Sequence, residues 1–349
     1  MRLFQITIPT ANIFYFKVPF LILLLLLAIA PINSKASETA DVITTIKPLH
    51  SLVSAVMEGT GRPLLLLQGA SSPHDYQLKP SQLTKVLNAK IIFYIDEKME
   101  FFLRRTLNIL PKNVVKASIT KNANIKLLDS RGSGIWAKKN KKSNAKEEQH
   151  GHEEEKHEHA DTKDEKHGHE EEKHEHAEYD THVWLSPANA VKIVTYIANE
   201  LEKVYPDNKI LYRQNSKKLI NKLNILNAEL TKTLSPLTNE RFIVLHDSYQ
   251  YFEDEFGLTS AGSLTLTPNI APSVKKISTI KKLLIEQNVK CIFSEPQFPE
   301  RLPRMMVEGT NVKIVKADPL GAYIDAGSNA YINLLQNLSV AFKKCLQPD

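Results

Sequence analysis

Cysteine occurs only twice in the 349 residues, which excludes a small fold built on a disulfide framework. Glycine is also scarce, at 12 residues, and no G-x-x-x-x-G-K, G-x-G-x-x-G or G-x-S-x-G pattern is present. That counts against a phosphate-cradling loop, a dinucleotide fingerprint and a serine-hydrolase elbow. No segment after the first 30 residues reaches the 18 apolar residues a membrane-spanning helix needs. What is present in quantity is apolar residues, at 42%. This is enough to offset chain entropy and to build two ordinary domains.

The formal charge of +6 hides a split. Residues 146–180 carry 15 acidic residues and 5 Lys, a net −10, which leaves 40 basic against 24 acidic residues elsewhere. The lysines are spread over helical faces without interleaved aromatics, so a nucleic-acid partner is not expected. A basic body can still assist docking to an acidic partner or an anionic surface.

Arg2 and Lys17 precede an apolar run from Val18 to Ala30, too short to span a bilayer and suited to the core of a signal peptide. Ser34-Lys35-Ala36 places small residues at the −3 and −1 positions, so cleavage after Ala36 is expected. Export allows the distant Cys291 and Cys345 to form a disulfide, with two buried free thiols as the alternative.

Beyond the leader, strand-like and helical runs alternate. Asp41–Ile46, Pro63–Leu67 and Lys90–Ile95 read as strands. Pro48–Glu58, Pro80–Asn88 and Met99–Leu110 read as helices. A second series begins with the strand Phe242–Leu245 and continues through strands at Leu258–Ala261, Lys290–Phe293 and Val312–Val315. Helices over Ser248–Phe256, Ser273–Gln287, Pro299–Glu308 and Asn329–Cys345 alternate with them. Alternation of this kind predicts an α/β fold with two parallel-sheet lobes. Between them, Leu219, Leu223, Leu226, Leu230 and Leu234 mark one helical face. Asp207 is placed to cap that helix and Pro236 to stop it. Such a helix is either a rigid strut joining the lobes or an ordinary packed helix of one of them. The expected organisation is a signal peptide over 1–36 and an N-terminal lobe over 37–185 with a disordered loop at 138–178. A helical segment over 186–238 and a C-terminal lobe over 239–349 follow.

The loop is a repeat: His150–Ala160 recurs unchanged as His167–Ala177. Its eight histidines are His150, His152, His157, His159, His167, His169, His174 and His176. With almost no apolar content it forms no core. Interleaved imidazoles and carboxylates can assemble shallow sites for Zn²⁺, Cu²⁺ or Ni²⁺, or merely solubilise. His152 and His157 miss the H-E-x-x-H spacing by one residue, so a zincin site is dismissed.

Outside the loop lie His50, His74, His182 and His246. His50 falls within a helical pattern and reads as surface or a lesser site. His74 follows a strand, His182 follows the insert, and His246 ends a strand of the second lobe. Ligands of open α/β sheets bind outside the carboxyl ends of strands, so two facing lobes would gather these residues in an interlobe cleft. Three imidazoles suit Zn²⁺, with Asp318 or water as a fourth ligand and Glu295 behind them or purely structural. Three His plus water is also a catalytic arrangement, so an exported zinc-dependent hydrolase is the rival reading.

The surrounding motifs carry a resemblance. They are Ala-Ser-Ser-Pro-His-Asp-Tyr at His74, His-Val-Trp-Leu-Ser-Pro at His182 and His-Asp-Ser-Tyr-Gln-Tyr-Phe at His246. Ser-Glu-Pro-Gln-Phe at Glu295 and Asp-Pro-Leu-Gly at Asp318 complete the set. From about residue 40 onward the chain resembles the ZnuA-type zinc-binding components of bacterial zinc ABC importers, within the metal-binding cluster of solute-binding proteins. The resemblance implies two α/β lobes joined by a long rigid helix, with metal in the interlobe cleft. It implies a periplasmic, non-enzymatic, monomeric protein that delivers zinc to a membrane permease with a cytoplasmic ATPase, and it supports a Cys291–Cys345 bridge. Manganese-binding relatives replace ligand His by carboxylate at the position of His246, so His there favours zinc. Some zinc-binding members carry Glu before the first His; this chain has Pro73.

Overall fold

The computed structural model describes residues 38–131, 179–265 and 272–347. The leader over 1–36 and the His-rich loop over 138–178 lie outside the described residues. The first lobe runs β1 (Glu38–Thr44), α1 (Lys47–Val56), β2 (Arg62–Leu65), α2 (Pro80–Leu87), β3 (Ile91–Tyr94), α3 (Phe101–Ile109), β4 (Val115–Ser118) and the single turn α4 (Ile119–Asn122). Its four strands are parallel in the order β2-β1-β3-β4.

Two helices follow, α5 (Pro187–Val204) and α6 (Lys209–Leu234). The second lobe runs β5 (Arg241–Val244), α7 (Gln250–Phe256), β6 (Thr259–Ser263), α8 (Val274–Glu286), β7 (Cys291–Ser294), α9 (Arg301–Val307), β8 (Lys313–Lys316) and α10 (Ala330–Leu346). Its sheet, β6-β5-β7-β8, repeats the order of the first and is also parallel. The central strands Ile91–Tyr94 and Cys291–Ser294 are buried throughout, as expected when helices cover both faces of a sheet.

The long helix settles the choice between strut and packed helix by being both. At 1.5 Å per residue its 26 residues span about 39 Å. Its buried stripe of Tyr212, Leu219, Leu223, Leu226, Leu230 and Leu234 lies against α5, against α1 of the first lobe and against α10 of the second. One hydrophobic cluster consequently runs from Val42 to Leu346 through both lobes. The expected Asp207 cap is absent. Asp207 lies in a preceding 3₁₀ turn, and the helix starts without a side-chain cap.

Polar contacts tie the lobes on either side of the cleft. Lys47 of α1 donates all three ammonium hydrogens to the second lobe, to the carbonyls of Gly321 (2.6 Å), Ala322 (2.9 Å) and Ile324 (2.7 Å). The Arg131 guanidinium, where the first lobe's described chain ends, pairs with Asp247 and Glu253 of the second. Cys291 of β7 and Cys345 of α10 form a disulfide with Cα atoms 5.5 Å apart.

Candidate metal centre

Each of the three histidines is set by a different segment. His74 lies in the connection from β2 to α2, where its backbone N–H donates to the Ser72 hydroxyl at 3.3 Å. His182 precedes a 3₁₀ turn, Val183–Leu185, which leads into Ser186. The Ser186 hydroxyl accepts from the Asn189 amide and caps α5. The turn is fastened to the second lobe: the Trp184 indole donates to Pro319 O at 2.8 Å, and the Tyr331 hydroxyl donates to Trp184 O at 2.6 Å. His246 stands two residues beyond β5, beside Glu295 at the end of β7. These neighbouring strands flank the point where the sheet order reverses, the usual ligand position in open parallel sheets.

The three imidazoles converge. Ring centroids are 5.6 Å apart for His74–His182, 5.6 Å for His74–His246 and 5.3 Å for His182–His246. One nitrogen from each lies within 4.8 Å of the others. Zinc at its usual bond length in tetrahedral geometry holds such nitrogens about 3.4 Å apart, so small side-chain rotations close the set around one ion.

The remaining ring atoms explain which nitrogen faces the centre. His246 Nδ1 donates to Glu295 Oε1 at 2.8 Å, and His182 Nδ1 donates to Asp180 Oδ1 at 2.7 Å. In the neutral form of each ring the proton therefore sits on Nδ1 and Nε2 is left to coordinate. Nε2 of His246 and of His74 are buried without a hydrogen-bond partner among the described residues, an arrangement that costs free energy unless something completes it. Burial, with the two neighbouring imidazoles, pushes the His74 pKa well below its ordinary value. Burial also opposes protonation of His182, but the carboxylates of Asp180, Glu295 and Asp247 together outweigh it and raise that pKa.

Asp318 stands apart from this set. Its Oδ1 accepts from Leu320 N (3.0 Å), Gly321 N (2.9 Å) and the Gln297 amide (2.9 Å), and Oδ2 accepts from Ala322 N (2.5 Å). The carboxylate thus organises its own loop, in the manner of Asp before a turn. His50 is a correction to the sequence reading: it is buried, not surface. Its Nε2 donates to Pro63 O at 3.1 Å and the Ser54 hydroxyl donates to Nδ1 at 3.4 Å. The eight loop histidines, His150 to His176, lie outside the described residues. Two residues near the centre were not singled out from sequence, Asp180 and Arg131. An Asp two positions before a candidate ligand was the available signal for the first; the second had none.

Two parallel α/β lobes facing a buried imidazole set is the architecture of a two-lobed solute-binding protein. A family model described as zinc-uptake complex component A, periplasmic, matches residues 42–345, and the chain belongs to this ZnuA family. It is 38% identical over 324 residues to the high-affinity zinc uptake system protein ZnuA of Brucella abortus (strain 2308), covering 90% of this chain and 94% of that one. Against the protein of the same name from Yersinia pestis the identity is 32%, over 88% and 92%. A ZnuA crystal structure superposes with a TM-score of 0.69 at 21% identity, covering 90% of this chain and all of the other, a likeness of fold.

Proposed function

We propose that this protein captures Zn²⁺ through Nε2 of His74, His182 and His246 and delivers it to the membrane permease of an ABC transporter driven by a cytoplasmic ATPase. The convergence of three buried imidazole nitrogens within 4.8 Å carries the reading. Family membership and the names of its relatives agree with it. An all-imidazole donor set is borderline-soft and suits zinc better than manganese, which takes carboxylates and water. With both Asp318 oxygens engaged by amides, the fourth position falls to solvent.

Residues 1–36 direct export to the periplasm and are removed. The eight loop histidines collect zinc weakly or sense its abundance. Capture needs no bond-making beyond coordination, so the protein is a carrier and not an enzyme. No helix among the described residues is long and apolar enough to cross a membrane.

Zinc titration by competition with a chromophoric chelator tests this. The intact chain binds one ion tightly with further weak sites, deletion of residues 138–178 leaves the tight site, and His246→Ala removes it. Loss of tight binding on the deletion alone would overturn the assignment.

A further inference from the structure

Two of the three imidazoles are backed by carboxylates, and the sequence motif accounts for only one of these. Glu295 holds His246. Asp180 holds His182 twice, its Oδ1 accepting both the backbone N–H (2.9 Å) and Nδ1–H (2.7 Å). Asp180 is itself fixed from both lobes: its N–H donates to Leu128 O at 2.8 Å, and its carbonyl accepts from the Tyr251 hydroxyl of α7 at 2.8 Å. Tyr251 in turn accepts from Leu128 N at 3.0 Å. The second oxygens, Asp180 Oδ2 and Glu295 Oε2, are buried without a hydrogen-bond partner among the described residues.

Resting on the zinc-capture reading, we propose that Asp180 is a positioning and specificity-determining residue. With Glu295 it locks two imidazoles in the metal-binding tautomer and supplies the second of two negative charges that match a buried divalent cation.

Three neutral imidazoles leave a bound Zn²⁺ with its full +2 charge in a site of low dielectric, where an uncompensated charge is costly. Two carboxylates, each one ring away, bring the assembly to neutrality. Asp247, next in sequence to His246, backs none of the three rings: both its oxygens pair with the Arg131 guanidinium, which it shares with Glu253. His74 is held differently, through its backbone N–H on the Ser72 hydroxyl, and Pro73 stands before it. A monovalent ion in the same place would leave the site net negative, so the pair discriminates by charge as well as by geometry.

Removing the acceptor and removing only its charge separate the two roles. Asp180→Ala loses both. Asp180→Asn keeps an oxygen to accept from His182 but loses the charge. Zn²⁺ affinity is measured by chelator competition, Ag⁺ by competition as a monovalent probe of imidazoles, and Co²⁺ by its ligand-field spectrum. In Asp180→Asn, Zn²⁺ affinity falls about 10-fold and Ag⁺ affinity much less, with the tetrahedral Co²⁺ spectrum retained. In Asp180→Ala, Zn²⁺ affinity falls on the order of 100-fold and the Co²⁺ bands change. Equal losses for the two ions in the Asn variant overturn the charge role. Wild-type affinity in a folded Ala variant overturns the proposal entirely. Absence of tight Zn²⁺ binding in the wild-type chain fails the capture reading instead.

Discussion

His246 Nδ1 and Glu295 Oε1 meet at 2.8 Å across the ends of two neighbouring strands, β5 and β7. The register of the second sheet therefore determines which way the His246 imidazole points. Glu295→Gln presents an amide that can still accept but carries no charge, and its competing NH₂ allows the ring to reorient. Zinc affinity is expected to fall between about 10-fold and 100-fold with stoichiometry unchanged, measured by chelator competition. Unaltered affinity would show that the strand-end pairing is incidental.

His50 makes stability depend on acidity. Burial lowers its pKa from 6.5 to about 4. The unfolded chain thus takes up a proton that the folded chain refuses in that window. Stability is complete above 6.5, declines as pH falls towards 4 and levels off below. The difference corresponds to roughly 3 kcal/mol. His50→Gln keeps a donor for Pro63 O without titrating, so urea midpoints at pH 7 and pH 4.5 should lie closer together than in the wild type. An equal separation in both proteins would exclude His50 as the source.

The Cys291–Cys345 bridge closes a separation of 54 residues and joins a central strand to the last helix. Reduction, or Cys291→Ser with Cys345→Ser, is expected to cost about 2–4 kcal/mol. This lowers Tm by about 3–6 °C in calorimetry. Zinc stoichiometry should not change, because neither cysteine touches the imidazole set.

The Arg131 guanidinium bridges Asp247 and Glu253, with Nε 2.8 Å from Asp247 Oδ2 and Nη1 2.9 Å from Glu253 Oε2. Arg131→Gln leaves two largely buried carboxylates facing each other. A loss of about 3 kcal/mol in urea unfolding is expected, and Arg131→Lys should restore only part of it. A change within 0.5 kcal/mol would place this pairing among the inconsequential ones.

Much of the fold is legible in local pattern. The strands expected at Lys90–Ile95 and Lys290–Phe293 are present as β3 and β7, and the leucine spacing from 219 to 234 marks the buried face of one helix. β4 was not legible, because Val115–Ser118 is four residues long, carries Lys116 and lies at a sheet edge. The site divided along similar lines. Histidines beyond strand ends could be gathered by the rule of parallel sheets, but Asp180 could not be told from the acidic insert it ends. Arg131 meets Asp247 across 116 residues of sequence, a distance no local pattern spans. Asp318 has a ligand's position after a strand, but amides two to four residues ahead take its oxygens. His50 read as surface because a helix is ordinarily half exposed, whereas α1 is enclosed between the first sheet, α6 and α10.

The shared hydrophobic cluster has a consequence for biogenesis. Its members extend from residue 42 to residue 346, and α10 seals both halves. A nascent polypeptide lacking its final helix leaves α1 uncovered on one side and the second sheet unbridged. Stable folding thus requires α10, and a polypeptide from which this helix has not yet emerged remains loosely packed in both halves.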